Sequence, residues 1–238
     1  MKYLFISSKK DLASLNIAKH LEEYFDIYYT EKDLLDIKRE DLKKSDYYIF
    51  LSKHRSERNL PSLTVHVPGL LDKEICPADA VLNTLILKNL NKYNNIGYNV
   101  SFEVVHHTPT DLDGYSVFVE IGSSEKEWTN EKAGKIVANA IVESIECLEN
   151  QDYEELDRVL GIGGGHYAPK FTKLALQNKY YFGYLVPKYI NIKEDILKQM
   201  LNKSEIDKVL IDWKGCKSEM KKKCISFFEN SGIEWEKV

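Results

Sequence analysis

KYLFISSKKDLASLNIAKHLEEYF (2–25) opens with a short apolar run, KYLFIS (2–7), and continues into a segment where Leu12, Leu15, Ala18, Leu21 and Phe25 recur at helical spacing. That is a strand followed by a helix. The alternation continues outward: YYIFLS (47–52) and LTVHV (63–67) read as strands, and DAVLNTLILKNLNKY (79–93) has the length and leucine content of a buried helix. NVSFEVVH (99–106) and YSVFVEIG (115–122) flank the turn-rich HTPTDLDG, whose Pro109 and Asp113-Gly114 suit a reversal, so they read as an antiparallel pair. Ser124 and Glu127 have capping-box spacing, and Ala133, Ile136, Val137, Ala140, Ile141, Ser144 and Ile145 fill one face of a long helix over about 127–149. DRVLGIGGG, YYFGYLV, VLIDW and IEWEKV add strands, with helices near 171–178, 193–203 and 216–230. Strands alternating with helices predict an α/β fold, a three-layer α/β/α arrangement whose mixed, mostly parallel sheet carries helices on both faces. No linker or internal repeat interrupts it, so one domain over 1–238 is expected.

The composition fits. The 238 residues are 43% hydrophobic and 29% charged, with 12 Gly and 6 Pro, which excludes collagen-like, disordered and low-complexity classes. Cys76, Cys147, Cys216 and Cys224 share no C-x-x-C spacing, and the apolar run in MKYLFISSKKDL is far too short for a signal peptide or membrane span. A reduced, cytoplasmic protein is the expectation. A net charge of −4 argues against non-specific coating of nucleic acid, including DNA. Charge is uneven, however: residues 161–238 carry 14 Lys and no Arg against 9 acidic residues, a net +5, so one end of the chain could meet phosphates. The alternative is that Lys221, Lys222 and Lys223 are only the solvated face of a helix.

Five of the six histidines, His54, His66, His106, His107 and His166, fall at or near strand ends, where α/β sheets collect ligands and catalytic groups. His20, inside the first helix, reads as an ordinary surface or partly packed residue. In EVVHHTP (103–109) Glu103 shares a strand face with His107, so His106 can join it only where the strand ends. In the next strand Glu120 is an acid on an otherwise apolar segment, so it must be paired or functional. Imidazoles with a carboxylate are the usual makings of a zinc site, but no compact H-E-x-x-H motif is present. Metal binding, acid/base histidine without metal, and structural hydrogen bonding all remain open. GIGGGHYAPK (161–170) places four glycines in five residues after a strand; it is neither a dinucleotide fingerprint nor a Walker loop, and it reads as an anion nest or as a tight crossover with Pro169 opening the next helix. His54-Arg55 opens a polar loop, and Pro68-Gly69 turns the chain after His66.

Taken together, SKHRSE (52–57), LTVHVPG (63–69), EVVHHTPT (103–110), VEIGSSEKEW (119–128) and GIGGGHYAPK (161–170) resemble the archaeal and plant type of D-aminoacyl-tRNA deacylase. Order and length of the remainder fit as well; one departure is Leu70, where the family pattern has a polar residue after HVPG. The resemblance implies a phosphorylase/hydrolase-like fold related to peptidyl-tRNA hydrolases, and an enzyme hydrolysing the ester between a D-amino acid and the tRNA 3′ end, a step that recycles mischarged tRNA. It also implies two zinc ions per subunit, and the partner expected is the acceptor end of aminoacyl-tRNA, with no DNA, no membrane and a monomeric enzyme. On that basis His106, His107, Glu120 and His166 are the expected catalytic residues. His106, His107, His166, Glu103 and His66 are the expected metal ligands. His54, Arg55, Gly163, Gly164, Gly165 and Lys170 are expected to bind substrate, the glycine amides and Lys170 facing an oxyanion or phosphate, and His54 with His66 holding a second ion or the terminal adenosine. The competing readings are an amide hydrolase of peptidyl-tRNA hydrolase or zinc-peptidase type and a non-catalytic tRNA-binding protein.

Overall fold

The computed structural model describes residues 1–238. The first half holds β1 (Tyr3–Ser8), α1 (Leu12–Leu21), β2 (Ile27–Thr30), β3 (Tyr47–Arg55), β4 (Ser62–His66), β5 (Gly69–Leu70), β6 (Glu74–Ile75), α2 (Ala80–Tyr93), β7 (Asn99–Phe102) and β8 (Tyr115–Ser123). The second half holds α3 (Glu125–Trp128), α4 (Glu131–Asn150), β9 (Arg158–Ile162), α5 (Pro169–Leu176), β10 (Tyr181–Val186), α6 (Glu194–Lys203), β11 (Lys208–Ile211), α7 (Ser218–Asn230) and β12 (Glu234–Lys237). The α/β alternation and the mixed, mostly parallel pairing hold, but the strands divide between two main sheets: β2-β1-β3-β8-β4-β7, and an all-parallel β10-β9-β11-β12.

The expected hairpin is absent. β4 inserts between its two members, pairing antiparallel with β8 and parallel with β7. The two segments do run in opposite directions, but a third strand separates them, and spacing along the chain cannot register that. β7 also stops at Phe102 rather than running to His106.

Period-two burial gives the six-stranded sheet two unlike faces. Ile49, Leu51, Val117, Val119, Leu63 and Val65 point into the largest core, under α1, α2 and α4. The opposite face carries Tyr48, Phe50 and Phe118, with Phe50 and Phe118 stacked at 4.5 Å between ring centres, and no α-helix covers it. Its cover is an irregular segment with two short 3₁₀ turns, Leu34–Asp36 and Arg39–Asp41, which contributes Leu34, Ile37 and Leu42. Helices on both faces are found only for the four-stranded sheet, where α6 and α7 close the outer side and α2 and α5 the inner.

Helix α1 is rotated from its expected face: Ala13, Ser14, Ile17, Ala18 and Leu21 are buried, and Leu12 is exposed. Its seat on α4 explains this. Asn16 donates to the carbonyls of Trp128 and Asn130, fixing the start of α4, and Gly134 lies directly beneath it. A side chain at position 134 would press on Asn16, whose backbone oxygen would be 2.9 Å from the new Cβ and cannot swing aside. Gly134→Val is therefore expected to destabilise the fold by about 1–3 kcal/mol despite its better backbone entropy, as read by urea unfolding.

Candidate active site

The polar residues of the site occupy the helix-free face of the six-stranded sheet. Continuing the Phe50/Phe118 side along β3, β8 and β4 gives Ser52, His54, Glu120, Thr64 and His66. His66 sits in the row of Phe118 and stacks on its ring at 5.1 Å. β7 ends beside it, and Glu103 follows with its amide bonded to the Val65 carbonyl, so its carboxylate projects over the same face.

Beyond Glu103 the chain leaves the sheet, with the Val104 amide bonded to the His166 carbonyl and the Val105 amide to that of Leu185. His107 takes a left-handed conformation at φ 48°. That turn lets consecutive histidines converge: the rings of His106 and His107 lie 4.4 Å apart, and His106 lies 4.1 Å from His66 and 4.8 Å from His166. All five strand-end histidines thus meet, together with Glu103 and Glu120.

The hydrogen bonds assign the rings. His106 Nδ1 donates to the Val104 carbonyl at 2.7 Å and His107 Nδ1 to that of Thr108 at 2.8 Å, which leaves each Nε2 as a bare lone pair. The His107 lone pair faces His66 Nε2 at 2.9 Å, so His66 donates there and its buried Nδ1 has no partner, standing 3.9 Å from Glu120. The His106 lone pair faces Glu103 Oε2 at 3.4 Å, and His166 Nε2 reaches the same oxygen at 2.9 Å. The other Glu103 oxygen lies 3.0 Å from His54 Nδ1 but outside hydrogen-bonding alignment, so it is also unpartnered. Opposed acceptors and orphaned buried acceptor atoms are the condition in which a cation belongs. Three sets of ligand atoms lie within 4.8 Å of one another: His66, His106 and His107; Glu103, His106 and His166; His54, Glu103 and Glu120. Imidazole nitrogens with carboxylate oxygens suit zinc.

Electrostatics divide the imidazoles. Burial drives His66 far below the ordinary histidine value, and neighbouring imidazoles push it further; the same causes, burial first, lower His107 to about 4 and His106 below normal. Burial opposes the charge of His54 too, but Glu103 and Glu120 outweigh it and hold His54 up at about 11. Glu120 is raised to about 7 by burial, whereas Glu103, equally buried, is held well below the usual carboxylate range because His166 and His54 flank it.

A cleft of about 650 Å³ opens over the cluster, with His54, Arg55, His106, His107, Glu120 and His166 in its walls. Trp128 anchors this edge: its indole donates to the His54 carbonyl and its ring lies under Arg55 at 5.5 Å. Two of the expected substrate groups lie elsewhere. Lys170 is paired with Asp212 at 2.8 Å and with the Val238 carbonyl. In the glycine loop the Gly163 amide is bonded to the Val186 carbonyl and the Gly164 amide to that of Gly215, so neither is free for an anion. Their positive φ values serve the crossover that delivers His166. Pro169 does open α5. Three residues of the site were not anticipated: Asp11, which caps α1 and receives the Lys53 amide; Thr64, beside Glu120; and Tyr167, whose hydroxyl is 3.0 Å from His54 Nε2. Only Tyr167 had a signal, its place next to His166 in GGGHY.

The family described as D-aminoacyl-tRNA deacylase matches residues 42–236. The chain is 57% identical to the D-aminoacyl-tRNA deacylase of Methanocaldococcus jannaschii over the full length of both, and 36% identical to that of Thermococcus kodakarensis over 97% of each. The chain belongs to the D-aminoacyl-tRNA deacylase family. A crystal structure of a conserved protein of unknown function shares the fold, with a TM-score of 0.90, 25% identity, and coverage of 99% of this chain and 95% of the other. The Leu70 departure within this family lies on β5, away from the cleft lining.

His54 carries a pH signature in the metal-free protein. Its folded value lies above the unfolded 6.5, so its contribution to stability is complete below 6.5 and is lost as the pH rises toward about 11. Stability should fall between about pH 7 and pH 9, and His54→Gln should flatten that slope in urea titrations.

Proposed function

We propose that the protein hydrolyses the ester linking a D-amino acid to the 3′-terminal ribose of tRNA, releasing the amino acid and free tRNA. Full-length identity to a D-aminoacyl-tRNA deacylase carries the reading, and the histidine-lined cleft supplies chemistry suited to it. An aminoacyl ester is activated, so the enzyme must position a water, move one proton and stabilise an oxyanion. His66, His106 and His107 on one side, and Glu103 with His54 and Glu120 on the other, would hold two zinc ions. Zinc bound there would supply Lewis-acid polarisation and acidify water.

The chain's own groups have distinct tasks. His166 is about one-third exposed to the cleft and is backed by Glu103 at 2.9 Å, an arrangement for taking a proton from the attacking water. The water oxygen bonds to the ester carbon, the bond from that carbon to the ribose oxygen breaks, and His166 returns the proton to the ribose oxygen. Arg55 and Lys53, both beside the Trp128 ring, put positive charge at the rim of the cleft. Farther out, Lys221 and Lys237 lie over the Trp213 ring at 4.3 and 4.6 Å, part of the lysine-rich third that would follow the tRNA backbone. No helix is long and apolar enough to cross a membrane, consistent with action on tRNA.

Release of amino acid from D-Tyr-tRNA, L-Tyr-tRNA and N-acetyl-D-Tyr-tRNA tests the reading; hydrolysis of the D-ester with sparing of the L-ester is expected, and no hydrolysis of D-Tyr-tRNA would overturn it. Chelation should abolish turnover and zinc should restore it. His166→Ala should lower kcat by ~10²–10⁴-fold with little loss of stability, and normal deacylation by both His106→Ala and His166→Ala would overturn the assignment. Raising salt from about 50 to 200 mM should weaken tRNA binding by at least about tenfold; a flat response would count against the lysine surface.

A further inference from the structure

A second cavity, about 500 Å³, adjoins the first, with Tyr167 forming the partition between them: the tyrosine lines this cavity while its hydroxyl reaches back to His54 Nε2. Leu60, Val100 and Leu176 supply apolar wall surface among polar residues such as Asn99, Thr172 and Gln177, and the cations of Arg58 and Lys173, both exposed, stand at its edge. Ser62 lines it as well. Its side chain is only 6% exposed, and its hydroxyl has no hydrogen-bond partner.

The sheet register ties this cavity to the cluster. Ser62 and His54 are both directly opposite Gly122, on the strands either side of it. A Cβ at Gly122 would lie 2.6 Å from the Ser62 hydroxyl and 2.8 Å from the His54 ring, so one backbone position separates the second cavity from the imidazoles.

We infer that this cavity takes the base of the tRNA's 3′-terminal nucleotide, so that the ribose crosses Tyr167 and presents its ester to the histidines. The inference rests on the deacylase reading and assigns a subsite to it. The apolar surface and the tyrosine ring suit the faces of a nucleobase, and the polar side chains of Asn99, Thr172 and Gln177 in the same lining suit its edge. The two cations decide against the alternative occupant, the amino-acid side chain: the 5′-phosphate must follow the base out of the cavity, whereas the aminoacyl end carries an ammonium that Arg58 and Lys173 would repel. This moves the terminal nucleoside from the expected His54/His66 position to the far side of Tyr167.

Isothermal titration with adenosine 5′-monophosphate tests the subsite independently of hydrolysis. The wild-type protein is expected to bind it, and His106→Ala to bind it equally. Leu176→Trp, which fills the cavity, and Lys173→Glu, an exposed change that leaves packing intact, should each weaken binding by at least about tenfold and raise KM for D-Tyr-tRNA with little change in kcat. Absence of binding up to about 10 mM would overturn the inference, as would unweakened binding by both cavity variants or its loss in His106→Ala. Should the wild type bind the nucleotide but leave D-Tyr-tRNA intact, the deacylase reading fails and the nucleotide site stands.

Discussion

Two carboxylates buried beneath five imidazoles are the constraint around which the molecule is arranged. Glu103 and Glu120 are 2% and 3% exposed, and an uncompensated charge at that depth costs several kcal/mol or shifts its pKa until it is neutral. The two acids answer in opposite ways. Glu103 keeps its charge because His54 and His166 approach it from different parts of the chain; Glu120 has His54 at 3.6 Å and Thr64, and its value climbs toward 7. Even so, the Nε2 lone pair of His106 faces a carboxylate oxygen, and the Nδ1 of His66 and one oxygen of Glu103 have no partner. The cluster is overbuilt as a network of hydrogen bonds and well proportioned as a cage for cations.

Assembling it needs contributions from three strands and two loops, which is why the order of the sheet matters more than the identity of any one strand. With β4 inserted between β7 and β8, His66 lies between Glu120 on one side and Glu103 on the other. A hairpin of β7 and β8 would instead have set Glu103 directly beside β8 and left His66 at an edge. The chain accepts an antiparallel β4 in a mostly parallel sheet, and the result is a histidine in mid-sheet where strand-end loops could not have placed one.

Much of this was legible in the residues. Alternation in YSVFVEIG put Glu120 opposite Val119 and Ile121, and the strand-end positions of the histidines identified them as a group. What could not be read was which strands neighbour which, because pairing is decided by contacts far apart in sequence. The short IYYT strand β2 also escaped notice, since four residues give no usable period. The glycine loop misled in another way: GIGGG has the composition of an anion nest, but the Gly163 and Gly164 amides are claimed by the carbonyls of Val186 and Gly215, 23 and 51 positions downstream. Lys170 likewise has the right charge next to the right histidine, and Asp212 takes it.

The helix-free face of the six-stranded sheet gives the last link between fold and chemistry. Had a helix packed on Phe50 and Phe118 as helices pack on the opposite side, the partly exposed rings of His106 and His166 would be roofed over. The cover here is a run of short turns whose Leu34 and Leu35 end as one wall of the cleft. The imidazoles that line the cleft, His106, His107 and His166, are thereby left partly open to a ligand while His66 and the two carboxylates beneath them stay buried.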